Sequence, residues 1–171
     1  MTRRAVYGSI ALIVLALDQV SKQWAVAALR DQPDRVLIDG LLRLVYAENP
    51  GIAFSFFNSG GEATRWVLVA ISSAATVVVL LYLVRTSERA TRLQITLALL
   101  LGGITGNLID RIVLGRVIDF IDVYWGTYHW PTFNIADSAI SVGACLLAIE
   151  LIAGDQEPAE TRRAENAGNQ L

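Results

Sequence analysis

Histidine, cysteine and lysine each occur once in the 171 residues, as His129, Cys145 and Lys22. One cysteine excludes a disulfide framework and a thiolate metal site, and one histidine excludes a His-rich metal centre. Two common routes to hydrolysis are thereby removed: metal-bound water, and a serine served by a second histidine. Charge of either sign is thin. Charged residues make up 18% of the chain, against about 25% in soluble domains. The net charge of −2 leaves no basic stripe to neutralise phosphates, which argues against a nucleic-acid partner. What the chain has is apolar surface, 54% of its residues with a mean hydropathy of +0.47. Its reactive groups in quantity are carboxylates.

A helix needs about 20 mainly apolar residues to cross a bilayer, and four segments qualify. Ala5 to Leu29 contains Asp18 and Lys22; Val67 to Val84 and Leu93 to Ile109 carry no charge; Asn134 to Ala153 opens with Asn134 and Asp137. Backbone groups find no water in lipid, so all four are expected as helices. Arg3 and Arg4 before the first apolar run resemble a signal peptide. No small-residue cleavage site follows, so the run is expected to remain as a first span. Arg85, Arg89 and Arg92 crowd the link between spans two and three, which puts that link and both termini in the cytoplasm. The tail, 154–171, is polar and has a disordered composition. Residues 1–153 then form one domain.

Between the first two spans, Arg35–Gly40 and Leu41–Tyr46 are β-type runs. They precede the turn signal Asn49-Pro-Gly and the apolar run Ile52 to Phe57, so a small sheet over about 35–57 is expected on the outer surface. Trp24, Trp66, Trp125 and Trp130, with Tyr124 and Tyr128, all fall at span ends on that side, where aromatics anchor at headgroup level. Cys145 is expected to pack inside the bundle.

Ionisable groups in membrane segments are costly and tend to mark function. Asp18, Lys22, Asn107, Asp110, Arg111, Asp119, Asn134 and Asp137 are scattered in sequence yet converge near the outer ends of spans one, three and four. Asp18 and Lys22, spaced i and i+4, suit an ion pair that can be structural. Asp110 and Arg111 are adjacent and need separate partners, and bracing helices is as good a role for them as chemistry. Gly102, Gly103 and Gly106 allow close helix approach. Two carboxylates at low dielectric do not both ionise easily, so Asp119 and Asp137 could divide acid and base work. The plainer reading makes Asp137 a helix cap and Asp119 a solvated loop residue. Asp122 competes with Asp119, since in a helix or turn the two could share a face. Spacing decides neither question.

The ordered motifs resemble those of the lipoprotein signal peptidases, or signal peptidase II, aspartyl proteases of the bacterial inner membrane. Asp18-Gln-Val-Ser-Lys22, Asn49-Pro-Gly-Ile-Ala-Phe, Gly103-Ile-Thr-Gly-Asn-Leu-Ile-Asp-Arg111, Val117-Ile-Asp-Phe-Ile and Phe133-Asn-Ile-Ala-Asp137 are similar to five family blocks, over about residues 5–153. Pro50 departs from the small or polar residue usual at its place. The resemblance implies an all-α membrane protein of four transmembrane helices with a small β-sheet cradle on the periplasmic surface. It implies Asp119 and Asp137 as the catalytic pair, in preference to Asp122. Asp18, Lys22, Asn49, Gly51, Asn107, Asp110, Arg111, Asn134 and Ala136 would line or brace the site. It further implies diacylglyceryl-modified prolipoproteins as substrates, cut before the lipidated cysteine, and inhibition by the cyclic peptide globomycin. No metal or other cofactor is expected, and the partners are membrane lipids and substrate around a monomer. A transporter or proton-conducting protein using the same carboxylates is the alternative. It would spread its charges through the membrane depth, whereas span two has none.

Overall fold

The computed structural model describes residues 2–51 and 62–154. The apolar run 52–57 and the tail 155–171 lie outside them. The element order is α1 (Arg3–Leu29), β1 (Arg35–Ile38), β2 (Leu42–Asn49), α2 (Glu62–Arg85), α3 (Thr91–Val113), β3 (Val117–Trp125), β4 (Tyr128–His129) and α4 (Ile135–Gly154). Among the described residues, four helices are long and apolar enough to cross a membrane, with mean hydropathies of 1.3, 2.6, 1.4 and 1.9 in chain order. Each span of the sequence reading is there, and α3 is longer than expected. It runs on to Val113, which puts Asn107, Asp110 and Arg111 inside its last turns.

α3 is the axis of the bundle and packs against α1, α2 and α4. Small residues allow this, because without a hydrophobic drive between helices in lipid, close backbone approach supplies the contact. A side chain on Gly102 would meet the Ala11 carbonyl, one on Gly103 the Ala136 carbonyl, and one on Gly106 the Asp18 carboxylate. α2 buries only Val69, as expected of a helix clad mainly by lipid. Cys145 is exposed on α4, which corrects the expectation of an interior packing role.

The sheet is antiparallel, in the order β1-β2-β3-β4. The sequence reading gives 117–125 no element of its own and allows Asp119 and Asp122 to share a face in a helix or turn; the run is a strand, and its main partner is β2. Val, Ile, Phe, Tyr and Trp fill Val117–Trp125, the composition of a strand. Ile118 and Phe120 point down onto Ala25 and Leu29 of α1, and Trp24 meets Phe120 edge-on with ring centroids 6.5 Å apart. The sheet is thus seated on the end of α1.

Candidate active site

Strand alternation separates the two acids of β3. Asp119 pairs with Ala47 and Asp122 with Arg43; three residues apart on a regular strand, their side chains take opposite faces. Asp122 accepts from Arg43 Nε at 2.6 Å and lies 3.0 Å from His129 Nδ1. Burial works against its charge, but the hydrogen bonds from Arg43 and then His129 hold its carboxyl below the ordinary carboxylate range. Asp119 turns instead towards α3 and α4. It is a buried strand residue, 2% exposed, and not the solvated loop residue that was the plainer expectation.

One asparagine holds Asp119 and Asp137 together. Asn134 is the residue before α4, and its Oδ1 accepts from the Asp137 N–H at 2.9 Å. Asp137 Oδ2 accepts in return from the Asn134 N–H at 3.3 Å. That reciprocal pair is a capping box, with Asp137 at the third helical position. The Asn134 amide then donates to Asp119 Oδ1 at 2.7 Å. Asp137 caps its helix as the plainer reading foresaw, and capping turns its carboxylate into the same cluster as Asp119.

The remaining bonds come from β2 and α3. Asn49 Nδ2 donates to Asp119 Oδ2 at 3.0 Å, while its Oδ1 takes the Gly51 N–H at 2.9 Å. This turn needs Gly51 at φ +84°, against the side chain of Leu68. Asn107 Nδ2 donates to Asp137 Oδ1 at 2.7 Å, and its Oδ1 accepts from Lys22 Nζ at 2.8 Å. Burial raises the Asp119 carboxyl from its ordinary 3.8 to about 6. The Asn49 hydrogen bond opposes the rise, the charge of Asp137 adds to it, and the Asn134 bond opposes it again.

Beneath this lies the polar cluster of α1 and α3. Lys22 Nζ is 2.9 Å from Asp18 Oδ2 and 2.9 Å from Asp110 Oδ2; with Asn107, all three of its protons are used. Asp18 Oδ1 accepts from the Ala136 N–H at 2.9 Å, tying α1 to the first turn of α4. Asp110 Oδ2 accepts from the Ile118 N–H at 3.2 Å, tying α3 to β3 one residue before Asp119. The Arg111 side chain reaches back along α3, where Nη1 donates to the Asn107 carbonyl at 3.3 Å. Its buried Nε has no hydrogen-bond partner among the described residues.

The site residues that the family resemblance implied therefore stand in one connected cluster, and Asp122 lies outside it. Two others belong with them. Gln19 Nε2 bridges Asp18 at 3.2 Å and Asp110 at 3.0 Å. Its place between Asp18 and Lys22 was the available signal. Arg65 donates to the carbonyls of Arg111 and Ile112, and no spacing in the sequence pointed to it. No group of three or more His, Cys, Asp or Glu suited to a metal ion occurs among the described residues.

Four membrane-capable helices, a small sheet seated on the end of α1, and a buried Asp119 joined through Asn134 to the half-buried Asp137 make up the fold and its polar cluster. Two solved structures described as bacterial membrane enzymes share the fold. One has a TM-score of 0.77 at 27% identity, covering 86% of this chain and 92% of its own; the other has 0.74 at 28%, covering 87% and 88%. The sequence profile of signal peptidase (SPase) II matches residues 10–153. The lipoprotein signal peptidase of Pseudomonas fluorescens is 45% identical over 143 residues, 83% of this chain and 84% of that protein. That of Shewanella amazonensis is 39% identical over 141 residues, 82% and 83%. The chain belongs to the signal peptidase II family, and is thus a bacterial membrane protease.

Proposed function

We propose that this chain is an aspartic endopeptidase that removes the signal peptide from diacylglyceryl-modified prolipoproteins, cutting just before the lipidated cysteine, with Asp119 and Asp137 as its catalytic pair. The observation that carries this reading is the shared asparagine: Asn134 bonds both acids, one through its amide and one through the cap. Asp119, buried and with its carboxyl raised to about 6, is the acid that keeps a proton. Asp137, in the first turn of α4 at the positive end of its dipole and accepting from Asn107 Nδ2, serves as the carboxylate.

Protonated Asp119 donates to the scissile carbonyl oxygen while the Asp137 carboxylate takes a proton from water, whose oxygen attacks the carbonyl carbon. The resulting gem-diol collapses as its C–N bond breaks and the proton held by Asp137 passes to the departing nitrogen. A hydroxyl proton of the gem-diol then returns to Asp119 as the new carboxylic acid forms. Asn49 and Asn134 keep the Asp119 carboxyl in place. Asn107 does the same for Asp137, while Asp18, Lys22, Asp110, Gly51 and Ala136 brace the elements that carry them. No metal takes part.

The arginines of the α2–α3 link favour cytoplasmic termini, with the site at the outer face. The substrate's own acyl chains hold its cleavage point at that level, and globomycin would occupy the same place. The test uses purified protein and a lipid-modified precursor. Asp119→Asn and Asp137→Asn each lower cleavage by roughly 10²–10⁴-fold with expression and insertion retained, whereas Asp122→Asn stays near wild type. Full activity in either of the first two variants would sink the assignment.

A further inference from the structure

α3 ends at Val113, and a helix end leaves its last carbonyls without partners. The Asp110 carbonyl is taken by the Leu114 N–H at 2.7 Å. The next two are taken by a side chain from another helix. Arg65, in the first turn of α2, donates through Nε to the Arg111 carbonyl at 2.9 Å and through Nη2 to the Ile112 carbonyl at 2.6 Å. A cation here also complements the negative end of the helix dipole. The same side chain lies over Gly115, whose added Cβ would stand 3.4 Å from Arg65 Cδ and 3.6 Å from Cζ. Gly115, at φ +76°, is the turn that sends the chain from α3 into β3. Four residues later comes Asp119. Arg65 is itself steadied by Trp66, with its guanidinium carbon 5.2 Å from the ring centroid.

We propose that Arg65 is a positioning residue for the reaction: by capping α3 and covering the Gly115 turn, it sets where β3 carries Asp119 relative to Asn107 and Arg111 on α3. The inference rests on the aspartic reading above. It also gives α2, which contributes none of the buried acids, a part in the site. The planar fork of arginine suits two neighbouring carbonyls; a lysine ammonium reaches one of them as a point donor.

Purified full-length Arg65→Ala, Arg65→Lys and Asp119→Asn are compared with wild type on a lipid-modified precursor and by amide hydrogen exchange. Arg65→Ala should lower kcat roughly 10–100-fold with KM little changed, and Arg65→Lys should recover part of the loss. The basic limb of the Arg65→Ala pH profile should move to lower pH as Asp119 gains contact with water. A smaller fraction of folded enzyme would not move that limb. Exchange should quicken about tenfold or more over 112–119 and stay unchanged over 18–29 and 135–150. Wild-type kcat, an unmoved limb, or unchanged exchange over 112–119 would each overturn the proposal. Full activity in Asp119→Asn would sink the aspartic reading instead, and the exchange comparison would still decide whether Arg65 holds the turn.

Discussion

The Asn134 amide lies 2.7 Å from the Asp119 carboxylate, while the other end of the same side chain takes the backbone N–H of Asp137. One residue is thus both the cap of α4 and the link between two acids on different elements. Asn134→Ala is expected to destabilise the protein by about 1–2 kcal/mol through the lost cap and to lower kcat further than its loss of folded protein explains. Asn134→Asp keeps a capping oxygen but loses the amide donor to Asp119 and sets beside it a second carboxyl that competes for its proton, so it should retain more stability than Asn134→Ala while losing more activity. Melting in detergent and kcat on a lipid-modified precursor give the two orders; matching orders would refute the double role.

On the proposed reading, with Asp119 and Asp137 as the catalytic pair and one of them keeping its proton, the rate should follow a bell-shaped pH profile. With its carboxyl near 6, Asp119 loses the proton as pH rises through that value, so the basic limb falls there. The Asn49 hydrogen bond stabilises the charged form and lowers that limb. Asn49→Ala should therefore move it to higher pH. The sign for folding is opposite to that of a salt-bridged acid: a raised carboxyl binds its proton more tightly in the folded state. Its contribution is thus complete below 3.8 and fades as pH climbs to about 6. Wild type should lose stability across that window relative to Asp119→Asn.

Lys22 is 3% exposed and uses every donor it has. Lys22→Met would leave Asp18 and Asp110 buried without their cation, a change that typically costs about 3–5 kcal/mol. Arg116→Ala removes the half-exposed pair with Glu48 and a long 3.5 Å hydrogen bond to the Leu114 carbonyl, and should cost about 0–1 kcal/mol. Equal losses of thermal stability would contradict the buried network.

Two helical glycines make an internal comparison. Gly106 faces the Asp18 carboxylate, whereas a Cβ on Gly8 meets nothing within 4 Å. Gly106→Ala should lower the melting temperature and reduce activity by forcing Asp18 from Lys22 and the Ala136 N–H. Gly8→Ala should be neutral, or stabilising by about 0.5–1 kcal/mol. A harmless Gly106→Ala would mean that α1 and α3 have room to part.

Long apolar runs made the spans legible, because a bilayer sets both their length and their hydrogen bonding. The polar residues at their ends were legible as a group, since charge there is expensive. What escaped was β3. Its acids break up an apolar run beyond α3, so 117–125 reads as no strand, and Asp119 and Asp122 are left able to share a face. Pairing with β2 removes that possibility, for one residue of offset in a strand reverses a side chain. That pairing joins residues some 70 positions apart, as between Asn49 and Asp119, which no local pattern records. Arg65 escaped for a similar reason: its partners are backbone carbonyls, which every residue has.

The bond from the Ala136 N–H to Asp18 joins residues 118 positions apart. A membrane chain enters the bilayer in the order of its synthesis, so Asp18 and Lys22 arrive first, Asp110 follows with α3, and Ala136 and Asp137 come last. Until α4 is threaded, the carboxylate of Asp18 lacks its backbone donor and the acid on β3 has no counterpart. On the proposed pairing of Asp119 with Asp137, a copy stalled before α4 would lack one of its two acids and would not cleave, so the last span to be made would be the one that arms the enzyme.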